Sequence, residues 1–232
     1  MFMNSVWRFW LSSVGKKYVM AITSTCLLVF VAVHMMGNLQ IFLGPGAINH
    51  YAYLLHSNPE LLWPVRIGLT LCAVAHVVTG IALTLQNRAA RTEPYAVNRL
   101  VGASFASRTM LISGSCLLAY VIYHVLQFTL LATNPEYREL AWYVLPDGVR
   151  CHDVYRMVVR AFSNVWISAV YVLSMGLLCL HLSHGASALF QSLGVNNEAY
   201  APRLNRFALL VAWVLFLGYA AVPLAVLFSL VK

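Results

Sequence analysis

Five of the eight histidines in this 232-residue chain lie inside long apolar stretches: His34, His76, His124, His181 and His184. An ionisable side chain in such surroundings is costly and is a functional hypothesis by default. One alone is accounted for by a hydrogen bond to a neighbouring helix. Here four successive apolar runs each carry at least one, and the fifth carries none. That distribution points to a shared cofactor or a proton-handling role.

Depth sorts the five into levels. His34 lies 17 residues past Lys17 and His124 lies 16 past Arg108. At helical rise those are roughly 26 and 24 Å from one side of a bilayer. His76 lies 12 residues before Arg88, roughly 18 Å from that side. His181 and His184 lie 10 and 7 before Gln191, roughly 15 and 10 Å deep. His34 and His124 thus share an outer level. His76 shares the inner half with His181 and His184, and His181 matches its level better. Two imidazoles facing each other at one depth make a bis-histidine haem site, and two stacked sites make an electron wire. Gly37, Gly80 and Gly185 follow His34, His76 and His181 by three or four residues. That spacing puts each on its histidine's face, and the expectation is room for a flat macrocycle. Lys16, Lys17, Arg99 and Arg108 sit at the inner level as candidates to pair with haem propionates. Topology and headgroup contact are the competing explanation for them.

Membrane-spanning helices are the elements able to hold such levels. Hydrophobic residues make up 61% of the chain and charged ones 9%, too little charge to cover a soluble domain. Five apolar runs, about residues 17–43, 61–87, 108–132, 160–190 and 206–231, each reach the roughly 20 residues a spanning helix needs. The expected fold is all-α and polytopic. Residues 1–232 form one transmembrane domain of five spanning helices, the first four making a haem-binding bundle. The first run is too long for a signal-peptide core, and no small-residue cleavage site follows it. Trp7, Phe9 and Trp10 around Arg8 read as an interfacial lead-in. Gly44-Pro45-Gly46 is expected to stop the first helix, with a loop over 44–60. Pro64 is expected in the first turn of the second helix. The longest loop runs from Thr133 to about residue 159, and Pro223 is expected to kink the fifth helix.

The net charge of +8 follows from topology and needs no nucleic acid. With the N-terminus cytoplasmic, nine basic residues lie inside (Arg8, Lys16, Lys17, Arg88, Arg91, Arg99, Arg108, Arg203, Arg206) and six outside (Arg66, Arg138, Arg150, Arg156, Arg160, Lys232). That excess favours N-in and C-out. Four cysteines fall in apolar runs and Cys151 in the outer loop, with no spacing that suggests disulfides or zinc. No C-x-x-C-H motif occurs, which excludes the usual covalent haem attachment.

Four stretches, together with His76, carry a family resemblance: Ser13-Val-Gly-Lys-Lys17, His34-Met-Met-Gly-Asn-Leu-Gln40, Asn49-His-Tyr-Ala-Tyr-Leu-Leu55 and His181-Leu-Ser-His-Gly-Ala-Ser-Ala-Leu-Phe-Gln-Ser-Leu-Gly194. The chain resembles the cytochrome b558 membrane-anchor subunit, of the single-chain di-haem type, of succinate dehydrogenase and fumarate reductase. The resemblance implies two b haems. His34 and His124 would ligate the outer one, and His76 and His181 the inner one. His184 is the alternative to His181, or touches a propionate. It also implies electron exchange with a quinone, often menaquinone. Members can carry a carboxylate near the outer haem; here His50, Tyr53 and His56 are the candidates, with ordinary interfacial roles as the competing reading. A flavoprotein and an iron–sulfur subunit would dock on the cytoplasmic face of a bacterial inner membrane. No residue of this chain is expected to be catalytic for the dicarboxylate, since it has no dinucleotide loop and no cysteine cluster. The rival readings are a di-haem cytochrome b anchor of another quinone-linked oxidoreductase, and a haem-free histidine-relay transporter. The second should show acidic residues inside the bilayer, and the five runs contain none.

Overall fold

The computed structural model describes residues 8–90, 104–195 and 197–232. In chain order the elements are α1 (Ser13–Leu39, extended by a 3-10 turn at Gln40–Leu43), α2 (Pro45–His56), α3 (Pro59–Ala89), α4 (Phe105–Arg108) and α5 (Met110–His124, continued by a π turn at Val125–Thr129). Then come β1 (Trp142–Val144), β2 (Arg150–His152), α6 (Val154–Phe162), α7 (Val165–Ser192) and α8 (Ala201–Leu227). Five helices are long and apolar enough to cross a membrane: α1, α3, α5, α7 and α8 with their extensions. Most of their large apolar side chains face outward, as Leu71 (65% exposed) and Leu173 (70%) do. Hydrocarbon accepts such a surface and water does not.

The long helices connect so that residues 13, 89, 110, 192 and 201 lie at one end of the bundle, here the N-terminal side. The connections 40–58 and 130–164 lie at the other. α8 packs along α7 and against α1, while α3 packs along α1 and only brushes α5. The most apolar window of α8 is 39% buried, that of α3 only 6%. The histidine-free helix is therefore the one most enclosed by protein, and α3 is left at the periphery.

Local signals explain the helix starts. The Ser12 side chain accepts from the Gly15 N–H at 2.9 Å, Asp153 from the Arg156 N–H at 2.9 Å, and Asn164 from the Trp166 and Ile167 N–H groups at 2.9 and 3.3 Å. Each satisfies amides that a helix start leaves bare.

Several boundaries differ from expectation. The segment expected as a loop over 44–60 is mostly helix α2. Gly44, at φ +97, makes the break, and Pro45 opens the new helix. The segment expected as the longest loop holds a 3-10 turn at Pro135–Glu139, the β1–β2 hairpin and α6. The fourth run does not start a spanning helix at 160, because α6 ends at Phe162 and the Asn164 cap restarts the chain as α7. α3 begins at Pro59, so Pro64 lies in its second turn rather than its first. Pro202 belongs to the first turn of α8, which starts at Ala201 rather than near 206. Pro223 lies inside α8 and is buried.

The tightest core is at the C-terminal side. Ile41, Ile48, Val158, Phe162, Tyr171, Val222 and Val226 pack together there. Asn49 of α2, fully buried, ties this cap to α6. Its amide donates to Asp153 Oδ1 at 3.1 Å and its oxygen accepts from the Tyr155 N–H at 3.0 Å. Asn49→Ala is expected to destabilise the protein by about 2–3 kcal/mol, since both partners lose a bond in a dry setting. Thermal unfolding in detergent checks this, and an unchanged midpoint counts against the lock.

Candidate cofactor site

The structure brings four of the five intramembrane histidines together as two pairs. At the inner level, His76 of α3 and His181 of α7 have ring centroids 6.4 Å apart, with planes at 59°. At the outer level, His34 of α1 and His124 of α5 are 5.8 Å apart, with planes at 84°. His184, three residues after His181 on α7, is half-buried and lies outside both pairs.

Hydroxyl groups on neighbouring helices hold three of the rings by Nδ1. His76 Nδ1 lies 3.3 Å from Ser24 Oγ of α1, and His181 Nδ1 lies 3.1 Å from Ser113 Oγ of α5. Ser113 Oγ also lies 3.2 Å from the Met110 carbonyl, which can take its proton. His124 Nδ1 lies 3.2 Å from the Tyr171 hydroxyl of α7. Bonding at Nδ1 leaves Nε2 as the nitrogen for a metal, the usual division of labour in a ligating histidine.

The levels are well separated. Ser24, which touches His76, and His34 are ten residues apart on α1, about 15 Å along the axis. Ser113, which touches His181, and His124 are eleven apart on α5, about 16 Å. Two helices therefore give the same vertical spacing.

These dimensions can be tested against a metal centre. A metal–imidazole bond of about 2.1 Å, plus about 1.1 Å from nitrogen to ring centre, puts two trans rings about 6.4 Å apart. The inner pair matches that value and the outer pair falls about half an ångström short of it. Among the described residues no three His, Cys, Asp or Glu side chains converge. A bare zinc ion wants four ligands, whereas an iron already held in a macrocycle takes one or two axial ones. Each level brings together two imidazoles, the number of axial ligands a haem iron takes.

The outer pair sits in an aromatic wall. Phe30 stacks on His34 at 5.3 Å, and Tyr120, Phe128 and Tyr171 surround His124 at 5.6–6.0 Å. Tyr219 of α8 lies 6.3 Å from His34 and donates to the Val31 carbonyl at 2.6 Å. The fifth span thus lines the outer site without supplying a histidine.

The glycines behave differently from expectation. A Cβ on Gly37 would come within 2.7 Å of the Tyr51 ring, so that notch receives α2. Gly80 faces the Met20 methyl and Gly185 faces that of Met110. Gly114 is the glycine against a paired histidine: a Cβ there would lie 3.3 Å from His181 Cε1.

The remaining candidates are dispersed. Lys16 is buried and donates to the Leu11 carbonyl at 2.9 Å, inside its own N-terminal turn. Lys17 is exposed, and Arg108 is exposed with its guanidinium 6.0 Å from the Phe105 ring. Arg99 and Trp7 lie outside the described residues. His50, Tyr53 and His56 all lie on α2. His50 lines an open cavity of about 400 Å³ with Gly46, Ala47, Pro146 and Asp147. Partial burial, then the charges of Arg66 and His152, lower the proton affinity of His56 below the usual histidine value.

Ser24, Ser113, Tyr171 and Gln127 are contacts that histidine counting does not find. Their signal is a hydroxyl or amide group inside an apolar run at a histidine's depth. No family model, no curated protein and no solved structure matches this chain.

Proposed function

We propose that this chain is the membrane-anchor and electron-transfer subunit of a succinate:quinone oxidoreductase, with one b haem at the His76–His181 pair and one at the His34–His124 pair. The observation that carries the reading is the pairing itself: two imidazole pairs, each from different helices, at two levels about 15 Å apart. Bound there, haem iron supplies a one-electron couple whose potential follows its axial ligands and burial. The chain's own residues do the rest. Ser24, Ser113 and Tyr171 hold imidazole Nδ1 atoms and leave Nε2 open. Phe30, Tyr120, Phe128 and Tyr219 keep water from the outer pair.

In this reading the N-terminal side faces the cytoplasm of a bacterium, and the C-terminus lies outside. A flavoprotein and an iron–sulfur subunit carry the dicarboxylate chemistry and dock on the basic N-terminal side, where Arg88, Arg108, Arg203 and Arg206 lie. Quinone, menaquinone in the form proposed, exchanges electrons near the outer pair. His50, Tyr53 and His56 on α2 are the candidate contacts, and His50 lines a cavity there.

The test is an absorption spectrum of the purified protein. The expected result is a reduced b-type spectrum with two low-spin components. A colourless protein from a haem-replete membrane sinks the proposal.

A further inference from the structure

We propose that Glu136, at the C-terminal side, sets the tautomer of His124 through three intervening side chains and so decides which imidazole nitrogen is free for a ligand.

An ionised carboxylate can only accept. Glu136 Oε1 accepts from Asn134 Nδ2 at 2.9 Å, and that bond is the first cause holding Glu136 below the usual carboxylate range. With its amide nitrogen committed, Asn134 presents Oδ1 on its other side. That oxygen accepts from Gln127 Nε2 at 3.5 Å, the longest link, and from Thr133 Oγ at 3.3 Å. The other polar atom of Gln127, Oε1, accepts from the Tyr171 hydroxyl at 2.8 Å. A phenol has one proton, and that bond uses it. Tyr171 can then only accept from His124, 3.2 Å away. His124 must carry its proton on Nδ1, which leaves the lone pair on Nε2.

The local fold serves this chain of bonds. The π turn at Val125–Thr129 follows His124 directly and carries Gln127. Such wide turns recur at functional sites. Gln127 is fully buried, where an unbonded amide is expensive. His181 Nδ1 meets Ser113 within the span, at 3.1 Å. His124 alone is connected, among the described residues, to a carboxylate outside the spans.

The inference concerns the chain itself. Only its consequence, that Nε2 is the axial nitrogen, rests on the function proposed above. The full-length chain with ¹⁵N-labelled histidine, prepared haem-free in lipid bilayers, reports the tautomer by solid-state NMR. The His124 signals are identified by their loss in His124→Gln. Nδ1–H is expected to dominate. Glu136→Gln keeps an oxygen acceptor and is expected to change nothing. Glu136→Lys ends the chain in a donor, so each amide flips and Tyr171 donates to Nδ1. The Nδ1–H to Nε2–H ratio should then fall about tenfold or more, the scale of a net hydrogen bond. Tyr171→Phe deletes the last link and should bring the ratio towards one.

Dominant Nε2–H in the unaltered chain overturns the proposal, as does a ratio unmoved by Glu136→Lys. If the lysine variant fails to fold, an unmoved ratio in Tyr171→Phe overturns it. On haem-loaded protein, Tyr171→Phe should raise the ferrous-to-ferric ratio of one haem about tenfold at fixed potential, about 59 mV for one electron. The other haem should not move. A haem-free native protein with the expected tautomer would defeat the function and leave this inference standing.

Discussion

His181→Ala is expected to cost the protein one of the two proposed haems, whereas His184→Ala is expected to cost none. His181 is the ring that meets His76, with centroids 6.4 Å apart. Its Nδ1 is held by Ser113 at 3.1 Å, and Gly114 gives its Cε1 close backing. Three residues along a helix is about 300° of rotation and about 4.5 Å of rise. His184 therefore points about 60° away from His181 and lies closer to the N-terminal side. It is half-buried, as suits a residue near the end of a span. Alanine at 181 leaves His76 facing a gap and Ser113 without its imidazole. Loss of outer-shell support alone weakens a metal site about 10–100-fold, and loss of the ligand costs more. The haem count per chain by pyridine haemochrome, with a redox titration to show which component remains, reads the outcome. Two haems retained in His181→Ala, or one lost in His184→Ala, would reverse the assignment.

How far the sequence alone could go depended on what helical rise determines. Rise per residue fixes depth, so counting from Lys17, Arg88, Arg108 and Gln191 put His34 level with His124 and His76 level with His181. Those rings are the ones in contact. Rotation about each helix axis is set by packing, which counting does not see. Counting therefore leaves out Ser24, Ser113 and Tyr171, and it puts Gly37, Gly80 and Gly185 on their histidines' faces although their nearest neighbours are Tyr51, Met20 and Met110.

Short helices between the spans are hidden in the sequence for a different reason. α6 buries Met157, Val158, Ala161 and Phe162 on one face and carries Arg156 and Arg160 among the rest. Its end runs straight into the fourth apolar stretch, so the break is visible only in the Ser163-Asn164 cap. α2 is hidden in the same way by Gly44-Pro45-Gly46, which reads as a stop but also starts a helix. The five spans themselves were legible, because a bilayer demands long uninterrupted apolar runs.

His124→Ala is expected to separate the two levels functionally. It removes one outer imidazole and leaves His76 and His181, about 16 Å away along α5, with their partners intact. One haem should remain, with the potential of the inner component. If electrons pass through both levels to reach quinone, succinate-dependent quinone reduction in the assembled complex should fall about 100-fold or more. Succinate oxidation by a soluble artificial acceptor, which needs only the partner subunits, should persist. The same substitution empties the centre of the Phe30, Tyr120, Phe128 and Tyr171 wall and leaves the Tyr171 hydroxyl without His124. Some loss of stability is therefore expected, and it is separable. His34→Ala removes the opposite ring, leaves His124 bonded to Tyr171, and should give the same loss of one haem and the same split between quinone and artificial acceptor. Agreement between the two variants assigns the effect to the pair. Quinone reduction at normal rates in either one, with a haem missing, would mean that electrons leave from the inner level and that the outer pair is not on their route.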